Sequence, residues 1–305
     1  MRGTKATAAE VTEPSRQPFA EGTLRLGLAG EGSFRWVSAD LSEIVETARQ
    51  RLDLSPVASA ALGRAMAASA LLLRLATKTP TRLVLDVVGD GPIQRVLAEA
   101  DADGNLRGVV GDHHVRVPDH ADSKLAVGTA VGSGQLRVLR EHPGGSYHSQ
   151  VDLVTGEIGD DVAHYLDQSE QIRSAVLLGV LGRHEGVAAA GGLIVEVLPG
   201  AEEAAIERLE DNLRGAGGVS RLLEADGLDA VLTTALAGLE PSVHEERPLA
   251  YRCRCDRERL LRLLVAMDEA DRESLREDDG RLDATCHYCG TVYRFEGTEL
   301  DSLAD

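Results

Sequence analysis

Apolar and polar positions alternate from Gly22 to Val37, in Thr23-Leu24-Arg25-Leu26-Gly27-Leu28 and again in Phe34-Arg35-Trp36-Val37, with Gly30-Glu31-Gly32 between. A period of two around a glycine turn predicts a hairpin. The period then lengthens: Leu41, Ile44, Val45 and Ala48 share one helical face, with Asp40 as the expected N-cap and Glu43 completing a capping box. Ser55-Pro56 opens a second helix to about Leu75, and its surface from Ala58 to Leu73 is almost continuously small and apolar, which predicts burial on all sides. Arg64 and Arg74 interrupt that run before it reaches the roughly twenty apolar residues of a membrane span.

Short strands follow at Arg82–Val88, Ile93–Ala100, Leu106–Val110, Val115–Val117, Leu136–Leu139 and Tyr147–Leu153, several closed by turn residues such as Gly89-Asp90-Gly91-Pro92. Their spacing favours an antiparallel sheet. Gly159 to Ser174 reads as a helix bearing Val162, Tyr165, Leu166 and Ile172, and Ser174–Gly182 with Gly186–Leu198 read as a closing hairpin. Strands in runs, with helices grouped between them, predict an α+β domain over residues 19–198.

At Pro199-Gly200 the pattern changes. Residues 199–245 hold three Arg, no Lys and ten acidic residues, a formal charge of −7, and no Phe, Tyr or Trp. Ala205, Ile206, Leu209 and Leu213 form one apolar stripe; Val219, Leu222, Leu223, Leu228, Val231, Leu232, Leu236 and Leu239 belong to shorter helices, punctuated by five glycines. Helices this short must lie on another surface or melt. The segment is expected to be a metastable helical linker, an ordinary helical subdomain being the alternative.

Composition narrows the classes. The net charge of −18 opposes the phosphate backbone, and only 3% of residues are aromatic, so nucleic acid is not an expected partner. Residues 1–18 carry no apolar run of a secretion signal or anchor; a disordered tail, no membrane partner and a cytoplasmic location are expected.

The chemistry gathers at the C-terminal end, residues 246–305, where all four cysteines lie: Cys253 and Cys255, then Cys286 and Cys289, as C-x-C-x30-C-x2-C. Two close thiol pairs suit one tetrahedral Zn²⁺ with metal–sulfur bonds of about 2.3 Å. Gly290 accepts the unusual backbone angle that aims the second pair at one point. One intervening residue puts Cys253 and Cys255 on the same side of an extended segment, close enough to share a metal or, with strain, to form a disulfide. Arg252, Arg254, Arg257, Arg259, Arg281 and Arg294 are expected to offset the thiolate charge. A purely structural zinc module, fixed disulfides and a thioredoxin-like use of Cys286-His287-Tyr288-Cys289 are the competing readings.

Elsewhere the signals are weaker. Asp112, His113, His114, Asp119 and His120 read as a polar loop rather than a metal site. Gly132-Ser133-Gly134 and Gly144-Gly145 lack the strand, spacing and lysine of a phosphate loop, and no G-x-S-x-G elbow is present. No enzymatic activity is expected.

Tyr251-Arg252-Cys253-Arg254-Cys255-Asp256-Arg257-Glu258-Arg259 and Cys286-His287-Tyr288-Cys289-Gly290-Thr291-Val292-Tyr293-Arg294-Phe295 resemble the redox-regulated holdase chaperones of the 33 kDa heat-shock protein family. Tyr165-Leu166-Asp167-Gln168-Ser169-Glu170-Gln171 and Ala190-Gly191-Gly192 match more weakly. The resemblance implies a client-binding α+β domain, a helical linker lying on it and a zinc module that senses oxidants without using ATP. It further implies that Cys253, Cys255, Cys286 and Cys289 hold Zn²⁺ when reduced. On oxidation they would pair as Cys253 with Cys255 and Cys286 with Cys289, activating a homodimer that binds unfolding proteins.

Overall fold

The computed structural model describes residues 17–76, 80–118, 125–276 and 280–296. Phe19–Arg252 forms one compact unit, and the chain from Cys253 on belongs to a second. Together they make an α+β protein.

The expected hairpin is present as β1 (Ala20–Ala29) and β2 (Phe34–Asp40), with Leu26 opposite Val37. Asp40 is not the N-cap of α1 (Ser42–Leu52). It pairs with both Thr23 and Gly191, which holds it extended as the last residue of β2, and its carboxylate accepts from the Ser42 backbone N at 3.0 Å and Ser42 Oγ at 2.6 Å. The helix α2 (Pro56–Leu75) begins as read: Ser55 Oγ accepts from Ala58 N at 3.3 Å and Pro56 sits where its missing N–H costs nothing. By length and composition α2 could cross a membrane, yet it is buried along nearly its whole length.

A meander of β3 (Arg82–Gly89), β4 (Arg95–Asp101) and β5 (Asn105–Val110) follows. Val115–Val117, expected as a strand, is a loop: Val115 is buried, but the segment pairs with no strand. After a short helix α3 (Val127–Val131) come β6 (Gly134–His142) and β7 (Gly145–Asp152), paired antiparallel. Helix α4 (Gly159–Gln168) stops short of Ser174 because Gln171 adopts a left-handed φ of 57° that turns the chain into the next strand. The closing hairpin is β8 (Ser174–Arg183) and β9 (Gly186–Val197).

Helices α5 (Glu203–Gly215) and α6 (Val219–Ala235) occupy the glycine-rich segment. Next comes β10 (Ser242–Tyr251), a strand without apolar alternation in sequence. Glu245-Glu246-Arg247-Pro248 stays outside the core and is held instead by a backbone ladder along β1 from Ala20–Tyr251 to Leu28–Ser242. The ten strands run β7-β6-β3-β4-β5-β10-β1-β2-β9-β8, antiparallel except for the brief β10–β5 pairing.

Strand alternation divides the core between the two faces of this sheet. Phe34 and Trp36 of β2 and Leu193 and Val195 of β9 join a buried cluster with Ile206, Leu209, Val231 and Leu232 of α5 and α6. Their neighbours in sequence, Val37 after Trp36 and Ile194 between Leu193 and Val195, are fully buried on the opposite face, where α1 and α2 pack.

The C-terminal unit contains α7 (Arg257–Val265), α8 (Glu269–Ser274), β11 (Leu282–Thr285) and β12 (Val292–Phe295). Its apolar centre is small: Leu264, Leu282, Tyr293 and Phe295 are buried, and Leu260, Leu261 and Met267 pack against them.

Candidate metal centre

Each cysteine pair is positioned by local backbone chemistry. Asp256 follows the first pair and caps α7, its carboxylate accepting from Arg259 N at 2.7 Å, so the C-x-C segment enters the helix at a fixed angle. The second pair lies between β11 and β12. Cys286 N donates to Thr291 O at 2.9 Å, Gly290 N donates to Cys286 O at 2.8 Å, and Gly290 has φ 68°, the left-handed angle a glycine there permits.

These turns bring all four sulfurs within 4.8 Å of one another. Cys253 Sγ lies 3.7 Å from Cys286 Sγ, and Cys255 Sγ 3.5 Å from Cys289 Sγ. A tetrahedron with metal–sulfur bonds of about 2.3 Å has edges of about 3.8 Å. A disulfide needs about 2.05 Å. The cysteines are free thiols, and their spacing fits metal ligation. This donor set, four soft sulfurs without oxygen or nitrogen, suits a thiophilic ion.

Electrostatics point the same way. The Cys253 thiol is drawn down to about 7, by hydrogen bonds with Cys255 and then Cys286. Hydrogen bonds with Cys253, Cys255 and Cys286 also pull Cys289 down, whereas Cys255 and Cys286 are pushed up, in each case first through Cys253. The first thiolates borrow protons from their neighbours, and the later ones must form beside charge already present. A central cation removes that conflict.

Two of the arginines expected to offset the charge have partners of their own. Arg257 stacks over the Phe295 ring at 4.6 Å and donates to Arg294 O at 3.0 Å, and Arg294 pairs with Asp283 at 3.2 Å. Hydroxyl groups also meet sulfur. Tyr293 donates to Cys255 Sγ at 3.2 Å, and the Thr291 hydroxyl lies 3.2 Å from Cys289 Sγ. Neither was singled out from sequence, although the alternation in Val292-Tyr293-Arg294-Phe295 directly after Gly290 puts Tyr293 and Phe295 on one face of β12.

In the polar histidine loop His113 Nδ1 sits 2.8 Å from Leu52 O, and His114 N donates to Asp112. Asp119 and His120 lie outside the described residues.

A ten-stranded α+β body followed by four thiols converging on one point defines a class of two-part proteins with a terminal thiol centre of metal-binding type. The family model described as Hsp33 protein matches residues 23–296. A 33 kDa chaperonin of Thermus thermophilus is 48% identical over 294 residues, covering 92% of this chain and 86% of the relative. One from Symbiobacterium thermophilum is 42% identical over 273 residues, covering 88% and 92%. The crystal structure of the 33 kDa chaperonin of Thermotoga maritima superposes with a TM-score of 0.84 at 34% identity, covering 93% of this chain and 97% of that one. The chain belongs to the Hsp33 family of chaperones.

Proposed function

We propose that this chain is an ATP-independent holding chaperone whose activity is switched by oxidation of its thiol centre. The observation that carries the reading is the sulfur spacing at Cys253, Cys255, Cys286 and Cys289, which matches the edges of a four-thiolate site. A bound Zn²⁺ would tie the two cysteine segments together, and the four-residue buried core beside it is too small to fold the unit unaided.

In the reduced state the four thiolates hold the ion and the protein is idle. Oxidation by a peroxide then joins Cys253 to Cys255 and Cys286 to Cys289. Each pair of thiolates gives up two electrons, and one hydrogen peroxide takes them up with two protons from solvent to become two waters. Disulfide sulfurs are poor ligands, so the ion leaves and the unit loses the energy that ordered it. Residues 199–245 act as a linker, joined through β10 to the cysteine segment. When this linker melts, α5 and α6 leave the strand face of Phe34, Trp36, Leu193 and Val195, and that apolar surface holds unfolding proteins in the cytoplasm. Residues 19–198 would supply the client surface and the homodimer contact of the active state, and residues 246–305 the sensor.

The test follows zinc release with a chromogenic chelator while light scattering follows a heat-unfolding client in the same sample. The expected result is metal loss before or together with suppression of aggregation, only after peroxide and mild heat. Full suppression with the metal retained would overturn the switch. A protein that keeps its metal and never suppresses aggregation would be a zinc module of purely structural kind.

A further inference from the structure

Two hydroxyls meet the thiol centre, and they differ in how they are held. Thr291 lies in the same turn as its sulfur, two residues from Cys289. Tyr293 reaches across from β12 to the other cysteine segment: the residue is 2% exposed and its hydroxyl donates to Cys255 Sγ at 3.2 Å. The ring position is fixed twice over, by the antiparallel pairing of Tyr293 with Ala284 and by packing among Leu264, Leu282 and Phe295. Cys255 itself packs against this cluster, whereas Cys253 does not; what reaches Cys253 is the backbone N–H of Cys255 and the neighbouring sulfurs.

We infer that Tyr293 is a positioning residue for the redox step: its hydroxyl holds Cys255 Sγ inward and engages a sulfur lone pair, guarding this thiolate against electrophiles. When Cys255 attacks a peroxide, a sulfur–oxygen bond forms, the oxygen–oxygen bond breaks, hydroxide leaves and the sulfur is oxidised to sulfenic acid. The Cys253 sulfur then displaces that oxygen as water, taking up one proton, and the disulfide closes. Before the first of these events the Tyr293 hydrogen bond must be broken or stretched, so it slows attack at Cys255 and raises the oxidant level at which the first pair closes. That consequence for activation rests on the redox reading above; the guarding itself does not.

The experiment uses the full-length, reduced, zinc-loaded protein and iodoacetamide at single-hit exposure, with each cysteine's alkylation rate read by peptide mass spectrometry. Here a sulfur–carbon bond forms and iodide leaves, so the same lone pair is sampled without disulfide closure. Tyr293→Phe keeps the ring in the core and removes the donor. Its expected effect is a rise of about fivefold at Cys255, the rate equivalent of one ordinary hydrogen bond, with the other three cysteines within about twofold. Thr291→Val, which leaves Tyr293 intact, should not move the Cys255 rate. Placing 3-fluorotyrosine at position 293, a stronger donor of nearly the same shape, should shift the Cys255 rate the opposite way and keeps the test decisive if the phenylalanine variant folds poorly. An unchanged Cys255 rate in Tyr293→Phe, or an equal rise at all four cysteines, would overturn the inference. Client holding by the oxidised protein, measured separately, reports on the chaperone reading alone.

Discussion

The two faces of the ten-stranded sheet are covered by helices of different construction. On one side α2 runs unbroken from Pro56 to Leu75, is capped by Ser55 and is buried on every side. On the other, α6 starts at Gly218 without a side-chain cap and is broken at Asp226 (φ −156°, ψ 38°) and Gly227 (φ 57°, ψ −146°). It buries one stripe and leaves the rest in solvent. Its partner α5 also lacks a side-chain cap and is tied to the end of α6 by Asn212, which donates to Ala235 O and Ala237 O. In the proposed switch α2 is the permanent layer, buried along nearly its whole length, and α5 with α6 the removable one. The difference lies in caps, breaks and exposed backbone as well as in the share of each helix that is buried.

Matched truncations probe this most strongly. Leu71→Ala in α2 should lower global stability by about 2–5 kcal/mol, because the surroundings of a fully buried helix cannot collapse onto the void. Its unfolding midpoint in urea should fall by every probe together. Leu232→Ala in α6 removes a side chain of the same size, but the loss should appear as local opening. Amide exchange would quicken in α5 and α6, and emission from Trp36, the single tryptophan, would shift to the red before the sheet unfolds. If the two variants unfold with indistinguishable cooperativity, the contrast between the faces is wrong.

The break in α6 offers a smaller perturbation. A Cβ at Gly227 would meet nothing within 4 Å, so the cost of Gly227→Ala is conformational alone. The φ and ψ there are open essentially only to glycine, which sets the penalty at about 1–3 kcal/mol. The expected outcome is partial release of α6, seen as faster exchange from Val219 to Ala235 and some client holding in the reduced protein, with the global urea midpoint nearly unchanged.

These contrasts were unevenly legible in the sequence. The apolar stripes of α5 and α6, from Ile206 to Leu232, and the all-round burial of α2 follow from periodicity, because burial is what the pattern encodes. The cysteine cluster was legible because thiol spacing is itself a geometric statement. The strand β10 was not: Glu245-Glu246-Arg247-Pro248 has no apolar period, and its place between β1 and β5 comes from backbone pairing to distant residues. Tyr293 looked like one aromatic position in a short strand. That its hydroxyl meets Cys255 depends on how α7 and the β11–β12 pair fold together, which no local pattern records. The six arginines were assigned by proximity in sequence, which did not reveal that Arg257 and Arg294 meet a ring, a carbonyl and an aspartate.

The smallest effect is expected where both faces grip the same hairpin. At the β8–β9 turn, Glu46 of α1 accepts from Val187 N at 2.7 Å and from Arg49 and Gln50. The Arg49 guanidinium leads in drawing its carboxyl down to about 2. From the other face, Glu224 of α6 pairs with Arg183 at 2.7 Å, and Arg183 holds its carboxyl below the usual range. The Glu46 carboxyl lies lower in the folded state than in the unfolded chain. Its contribution is therefore complete above the unfolded value of about 4.5 and is lost as pH falls through about 2. Glu46→Gln should flatten the acid limb of the stability curve between about pH 5 and pH 2 and leave the curve at pH 7 slightly lower. Glu224→Gln should change neither limb measurably, since both partners of that pair stand in solvent, where water and salt screen it. Thermal midpoints across the pH range for the three proteins decide the matter. An acid limb that survives Glu46→Gln but vanishes in Glu224→Gln would mean that the removable layer, not the permanent one, anchors this turn.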